Sequence, residues 1–276
     1  MARNIERYIF HGNKKVKGWL SRIAMDVILE LSLIQNQLGI AGPVCEIGVH
    51  HGKLFILLHL ITNNDEISVA WDLFENQIEN IDNSGRGDKE VFIKNLDYHK
   101  CDLSRIKIFS ENSLRLPYER IIAECGDYVR MFSIDGGHTA ENTENDLLLA
   151  EHSICDGGII ILDDYFNESW PGVAEGTSKY FINNGLPLIP IAIVGNKILL
   201  TNKKNIAEYY MKGIDRKHKR YTIKKSWFWG HEVLIFISTP LTKTPLQIIT
   251  QTKVWNYIRE KPLGMKLRKS ARKFFR

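Results

Sequence analysis

The sequence predicts a doubly wound α/β fold with a mostly parallel, seven-stranded sheet that ends in an antiparallel hairpin. Two observations support this prediction. Five short β-branched runs alternate with helical stretches between residues 43 and 165, and such alternation is typical of a parallel sheet covered on both faces. Two further apolar runs are joined by Gly195-Asn196, a dipeptide that tolerates the positive φ of a tight hairpin.

The elements follow one another in a regular order. Between Trp19 and Leu38 apolar residues recur at helical spacing, which predicts an amphipathic helix ending near Gly39. Helices are also predicted up to residue 60, around 89–96 and over 141–152. The seven strand runs are PVCEIGV, ISVAWDLF, RIKIFS, YVRMFSIDG, GGIIILDDY, PLIPIAIVG and KILLTN. The run HEVLIFIST is a candidate for one more strand, without an assigned place.

Length and charge indicate the domain organisation. A chain of 276 residues favours one large domain, and we divide it into an N-terminal helical extension (1–40), a main α/β domain (41–240) and a basic amphipathic tail (241–276). The net charge is +5, but residues 261–276 hold seven Lys or Arg and no acid, so the rest is slightly acidic. This distribution argues against a nucleic-acid partner.

The sequence also bears on location. No apolar run approaches the roughly 20 residues that span a bilayer, and the first 20 residues lack the apolar core of a signal peptide. We therefore expect a cytoplasmic protein with four reduced cysteines. The basic tail has two interpretations: a helix lying on the inner face of an anionic membrane, or a solvated end. Whether the chain forms a homo-oligomer stays open.

The first strand-to-helix turn, CEIGVHHGK, is a candidate ligand-binding turn. Gly48 and Gly52 allow the backbone to approach a nucleotide-like ligand at the N-terminus of the next helix, with Glu46 beside it and His51 as a contact from the loop. The dinucleotide fingerprint GxGxxG is not met, because His50 stands where its second glycine would be. The alternative is a glycine turn that serves only tight packing.

Polar residues also follow the second and third strands. Asp72 ends the second strand, where a carboxylate can accept hydrogen bonds from both ribose hydroxyls, or else cap the following segment. Asn112 and Ser113 follow the third strand at the depth where an adenine would lie, and solvated turn residues are the alternative.

The most informative pattern follows the fourth and fifth strands. Asp135 and His138 come after MFSI, and Asp163-Asp164 come after IIIL. If these strands are neighbours, about 4.8 Å apart, their carboxylates can converge on one hard cation such as Mg²⁺. The alternative is that the aspartates cap turns or helices.

These residues resemble the class I methyltransferases grouped with the macrocin and mycinamicin sugar O-methyltransferases. The resemblance covers residues 44–181 through EIGVHHGK, SIDGGHTAENTENDLLLA and GGIIILDDYFNESWPGVAEG. It implies a Rossmann-like methyltransferase domain over 41–240 with S-adenosylmethionine and magnesium as cofactors. The implied magnesium ligands are Asp135, Asp163 and Asp164, and the implied base is His138. The implied cofactor contacts are Glu46, Gly48 and Asp72, to which we add His51, Gly52, Asn112, Ser113 and Asp135.

The expected activity is therefore magnesium-dependent O-methylation of a small-molecule acceptor, a saccharide or glycosylated metabolite. His138, with an ordinary pKa of about 6.5, is expected to be neutral near pH 7 and to take the acceptor proton. The segment Trp170 to Val173 is either a loop on the acceptor side or a packed anchor. Two alternatives remain: a metal-independent methyltransferase of small molecules, and a catalytically silent, membrane-associated binding protein.

Overall fold

A computed structural model describes residues 2–217 and 221–237. Eight α-helices and nine strands lie in this part of the chain. The helices are α1 (Ala2–Phe10), α2 (Arg22–Gln37), α3 (Lys53–Leu60), α4 (Lys89–Tyr98), α5 (Tyr118–Cys125), α6 (Ala140–Ser153), α7 (Pro171–Asn184) and α8 (Lys204–Lys217). The strands are β1 (Val44–Ile47), β2 (Ser68–Asp72), β3 (Ile106–Ser110), β4 (Val129–Ile134), β5 (Ile154–Leu162), β6 (Ile189–Val194), β7 (Lys197–Thr201), β8 (Thr222–Phe228) and β9 (His231–Ile237).

All nine strands form one sheet in the order β3-β2-β1-β4-β5-β7-β6-β9-β8. The first five strands are parallel, which confirms the doubly wound α/β prediction. Because β1 and β4 stand at the centre, the chain reverses its direction of winding between them, and the carboxyl ends of β1, β2, β4 and β5 share one edge. Ligands bind at this kind of position in open α/β sheets.

The predicted hairpin is confirmed, but the prediction of seven strands is wrong. Gly195 has φ +67° in the turn between β6 and β7, and β7 inserts antiparallel between β5 and β6. The hairpin does not end the sheet, because β9 pairs in parallel with β6 and β8 pairs antiparallel with β9. The run HEVLIFIST supplies β9. The strand β8 escaped prediction because its sequence, TIKKSWF, forms a largely exposed edge.

Helices cover both faces of the sheet. One apolar cluster includes buried residues of α1, α2, α3 and α8, and a second cluster on the other side includes those of α5, α6 and α7. The predicted helix between residues 19 and 38 is α2, with Ser21 capping its first turn and Gly39 at φ +70° after it. In the segment Trp170 to Val173, Pro171 begins α7 and Trp170 precedes the helix as its N-cap.

A buried arginine connects α2 to the sheet. Arg130 on β4 is fully buried and donates hydrogen bonds to Ser32 and Gln35 on α2 and to the carboxylate of Glu66. The Nε that donates to Glu66 also reaches the carbonyl oxygen of Gly42, and Nη2 donates to that of Ile61. The N-terminal extension is therefore bound to the α/β domain by directional contacts as well as by apolar packing.

Two sequence predictions concern contact with a membrane. The basic tail (241–276) lies outside the described residues. Within the described ranges, no helix combines the length and the apolar character needed to cross a membrane.

Candidate active site

A cavity of about 440 Å³ opens at the carboxyl edge of the sheet. Its size falls within the range of small-molecule binding sites. Its walls come from the segment 17–19, the β1–α3 turn, the loop 73–88 and the loops that follow β3, β4 and β5. Eight acidic side chains and three lysines line it, so the cavity carries an excess of negative charge and favours a cationic ligand.

The β1–α3 turn forms the floor of the cavity and requires glycine at position 48. Gly48 has φ +81°, and a Cβ atom there would lie 1.8 Å from the carbonyl oxygen of Asp135. Beside it, Glu46 is buried, and its Oε1 accepts a hydrogen bond from Ser133 Oγ at 3.2 Å. Burial, reinforced by the nearby Asp135 carboxylate, raises the pKa of Glu46. Its Oε2 has no hydrogen-bond partner among the described residues, which leaves an acceptor free for a ligand donor.

Asp72 joins two walls of the cavity. Its Oδ2 accepts the backbone N–H of His50 at 2.8 Å, and its Oδ1 accepts that of Phe74 at 2.6 Å. Burial raises the pKa of Asp72, although these backbone donors stabilise the carboxylate. Each carboxylate oxygen keeps a second lone pair, so Asp72 can still accept hydrogen bonds from a ligand.

Of the four cofactor contacts predicted in the first turn, only two line the cavity. Glu46 and Gly48 line the cavity, whereas His51 and Gly52 do not. The His51 ring is buried and packs against His50, with ring centroids 3.9 Å apart, and His50 lines the cavity instead. Gly52 caps α3 at φ +88°.

Asn112 and Ser113, the predicted cofactor contacts after β3, both line the cavity. The Asn112 side chain caps a short 3₁₀ turn through Leu114 N–H and donates to Glu79 at 2.9 Å. Glu79 also pairs with Arg115 at 3.0 Å. The loop 73–88, which carries Glu79, is therefore fastened to the β3–α5 connection.

The acidic residues that follow β4 and β5 converge only in part. Nε2 of His138 lies 3.1 Å from Asp164 Oδ2 and 3.8 Å from Asp135 Oδ1. One ligand atom from each of these three residues lies within 4.8 Å of the other two, close enough to hold one cation. We call Asp135, His138 and Asp164 the carboxylate–imidazole cluster.

Asp163 stands apart from this cluster because it is paired with Lys197, the first residue of β7. The Lys197 ammonium contacts Asp163 Oδ2, and both side chains are buried. Asp163 Oδ1 accepts the backbone N–H of Asp164 at 2.8 Å. Burial opposes a charge on Lys197, but the Asp163 and Asp135 carboxylates outweigh it and raise its pKa. Sequence analysis missed Lys197, although a lysine at the head of the apolar run ILL was a signal.

The pKa of His138 in the cluster also differs from the value expected from the sequence. Burial favours a neutral ring, yet the carboxylates of Asp135, Asp164 and Asp82 together raise its pKa to about 11. The ordinary imidazole pKa assumed from the sequence does not apply, because three acids surround the ring. Burial, together with the charge of Asp163, raises the pKa of Asp135 to about 7.

Two further residues hold the His138 ring, and sequence analysis missed one of them. Trp170 stacks on it, with centroids 4.4 Å apart and planes 19° from parallel. Asp82, on the loop 73–88, lies 3.1 Å from Nδ1. No local sequence pattern marked Asp82, because it is 56 positions from its partner.

Part of the chain is similar to known methyltransferases. Residues 45–165 match a family model described as a methyltransferase domain. The O-methyltransferase NovP has a similar structure, with a TM-score of 0.53, 15% identity, and coverage of 67% of this chain and 82% of NovP. An O-methyltransferase from Bacillus cereus in complex with SAH gives a TM-score of 0.52 and 15% identity, covering 73% of this chain and 91% of that one. No curated protein matches the sequence significantly.

The likeness to solved structures shows the fold, and the family model matches the segment that carries most of the residues lining the cavity. Residues 45–165 are therefore similar to a methyltransferase domain, in agreement with the resemblance found in the sequence. The matched segment runs from β1 to just past β5 and contains both aspartates of the carboxylate–imidazole cluster.

Proposed function

We propose that this chain is an S-adenosylmethionine-dependent O-methyltransferase that methylates a hydroxyl of a saccharide or glycosylated metabolite, with the help of a divalent cation such as Mg²⁺. The observation that carries the proposal is the position of the carboxylate–imidazole cluster in the same cavity as the Gly48 turn. A methyl donor on that turn would have its acceptor beside a base and a cation site.

The cofactor side of the cavity suits S-adenosylmethionine. Its amino group and sulfonium are cationic, and the lining is rich in carboxylates. The free Oε2 of Glu46 can accept from the amino group, and Asp72 can accept from the ribose hydroxyls. The similar Bacillus cereus enzyme was solved with SAH, the product of methyl donation, which supports the choice of cofactor.

The cation site would be made by fewer aspartates than the sequence suggested. Asp135 and Asp164 offer carboxylate oxygens, the ligands that Mg²⁺ prefers, with His138 Nε2 beside them. Asp163 is already paired with the Lys197 ammonium and would not be a ligand. Its contribution would be to hold the backbone of Asp164 through a hydrogen bond. When bound, such a cation would offset the carboxylate charge and polarise an acceptor hydroxyl.

The wall beside the cluster suits a saccharide acceptor. Asn167 and Asn196, which contact Asp164, and Trp170, which stacks on His138, line the cavity there. Amides both donate and accept hydrogen bonds, as sugar hydroxyls do, and an aromatic ring packs against the apolar face of a sugar. Asn167 and Asn196 also donate to Asp164, so the acceptor wall and the cluster are connected.

The reaction is a displacement in line with the carbon–sulfur bond. The acceptor oxygen forms a bond to the methyl carbon while the bond to the sulfonium breaks, and S-adenosylhomocysteine leaves as a neutral thioether. Offsetting the charges of Asp135 and Asp164 would lower the raised pKa of His138, and the neutral ring could then take the hydroxyl proton at Nε2, the nitrogen that faces these two carboxylates. Binding both substrates in one cavity contributes by proximity.

A metal-independent methyltransferase is the second candidate, and the Lys197–Asp163 pair favours it. Lys197 places a permanent positive charge among Asp163, Asp135 and Glu46, which is part of what a metal ion would supply. In this alternative the aspartates only orient the acceptor and the imidazole.

Methyl transfer from radiolabelled S-adenosylmethionine tests the proposal, with a panel of nucleotide-linked sugars and glycosides as acceptors. We expect transfer to at least one saccharide, loss of transfer in EDTA and recovery with Mg²⁺. D164N should abolish transfer, whereas D65N, at an exposed position outside the cavity, should not. Transfer that persists in EDTA would establish the metal-independent candidate. Failure to bind S-adenosylmethionine in calorimetric titration would overturn both and leave a silent binding protein.

A further inference from the structure

Asp82 makes an unusual set of contacts for a residue in a surface loop. Its side chain is only 11% exposed. Oδ1 accepts the backbone N–H of Ser84 at 2.8 Å, which closes a turn within the loop. Oδ2 is directed out of the loop and accepts the backbone N–H of His138 at 2.5 Å, with ring Nδ1 of the same residue at 3.1 Å. One carboxylate oxygen therefore contacts both the main chain and the side chain of His138.

These contacts determine which nitrogen of the ring faces the reaction. An ionised carboxylate can only accept hydrogen bonds, so the nitrogen bonded to Asp82 must carry a proton. Nε2 lies on the opposite edge of the ring, near Asp135, and by the same rule it donates to Asp164 Oδ2 at 3.1 Å in this structure. Trp170 covers one flat face of the ring, so rotation is restricted as well. Orientation of a histidine by a carboxylate at its other nitrogen is a general means of preparing it as a base or ligand.

We propose that Asp82 is a positioning residue for methyl transfer: it holds the Nδ1 edge of His138 so that Nε2 faces Asp135, Asp164 and the acceptor hydroxyl. The consequence for catalysis rests on the proposed function, whereas the orientation of the ring does not. Asp82 lies between β2 and α4, so the loop 73–88 contributes to the reacting centre as well as to the cavity wall.

A purely structural role for Asp82, as the anchor of its loop, is distinguishable from positioning. The same loop is separately fastened through Glu79, which bonds to Asn112 and Arg115. Phe74 at its start is fully buried. Removal of the Asp82 carboxylate should therefore release the His138 ring while the loop keeps its other attachments.

The first test is NMR spectroscopy of the full-length protein, labelled with ¹⁵N in its histidine rings and kept in EDTA. We expect a slowly exchanging ring proton on Nδ1 of His138, assigned by its absence in H138Q. D82A should lose its protection from exchange, and I78A, at a 97% exposed position of the same loop, should keep it. Absence of this proton in the unmodified protein, or its persistence in D82A, would overturn the proposal. If D82A folds poorly, D82N keeps the volume and should show a weaker form of the same loss.

The second test uses a saccharide found in the acceptor panel. Loss of a residue that orients a ligand or base typically costs about 10–100-fold, so D82A should lower kcat by that amount and leave the Kd for S-adenosylmethionine unchanged. An unchanged kcat would overturn the proposal. If no acceptor is found, the proposed function fails, but the NMR result still decides whether Asp82 positions the ring.

Discussion

Replacement of Lys197 by methionine should strongly destabilise the protein. The ammonium of Lys197 contacts Asp163, and their side chains are 5% and 7% exposed, so water replaces little of the lost interaction. Removal of one partner of a buried ion pair typically costs about 3–5 kcal/mol, because the other charge is left uncompensated. The cost should lie in this range, since Asp135 adds a second carboxylate close to the lost cation.

Urea unfolding followed by circular dichroism measures this cost as a shift of the transition midpoint at constant slope. The double variant D163N/K197M should recover much of the loss, because it removes both charges. The matched control is K203M, which breaks the exposed pair with Asp156 and should cost less than about 1 kcal/mol. A loss in K197M no larger than that in K203M would refute the assignment of a buried, tightly coupled pair.

Three further predictions follow from the structure. R130M should lose at least about 3 kcal/mol of unfolding free energy in urea, because the buried Glu66 carboxylate is left unpaired, and a loss under 1 kcal/mol would contradict this. Burial lowers the pKa of His59 from 6.5 to about 4, so between these pH values the unfolded chain binds a proton at His59 that the folded protein does not. The free energy of unfolding should therefore drop by up to about 3 kcal/mol as the pH falls from 6.5 to 4. H59Q should reduce this drop. G48A should abolish calorimetric binding of S-adenosylmethionine, since its Cβ would meet a backbone oxygen at 1.8 Å, whereas G185A, equally left-handed but with open space around it, should bind normally.

The strand-and-helix framework could be predicted because its signal is local. Strands such as β1 and β4 are buried along their whole length, and each appears in the sequence as a short apolar run. The turn at Gly195-Asn196 is equally local, since two residues determine its backbone geometry. The strand β8 follows no such rule, because its alternating pattern includes Lys224 and Lys225 on an exposed edge.

The residues of the candidate site also differ in whether a local sequence pattern marks them. Asp72, Asp135 and the acidic pair after β5 could be found because residues at the carboxyl ends of neighbouring parallel strands share one edge. Asp82 could not be found, because it meets its partner across 56 positions of sequence. Lys197 left a signal at the head of an apolar run, but its partner lies 34 positions away. Their positions depend on how the hairpin and the loop 73–88 pack, which no short pattern encodes.

The two aspartates that follow β5 differ in their chemical surroundings. The aspartate pair after β5 appeared equivalent in sequence, but the structure gives its members different partners. Asp163 is neutralised by a lysine, whereas Asp164 contacts His138. In this structure Asp163 is therefore paired with Lys197, whereas Asp164 contacts the imidazole together with Asp135 and Asp82.

The most direct test of the central claim is a crystal structure of the protein with S-adenosylhomocysteine and Mn²⁺, the ion being located by its anomalous scattering. We predict the amino group of the ligand at Glu46 Oε2, its ribose at Asp72, and the ion bound by Asp135 and Asp164 while Asp163 remains on Lys197. An empty cavity at saturating ligand would contradict the proposed activity. An ion ligated by Asp163 in place of Lys197 would contradict the proposed division of the acidic residues.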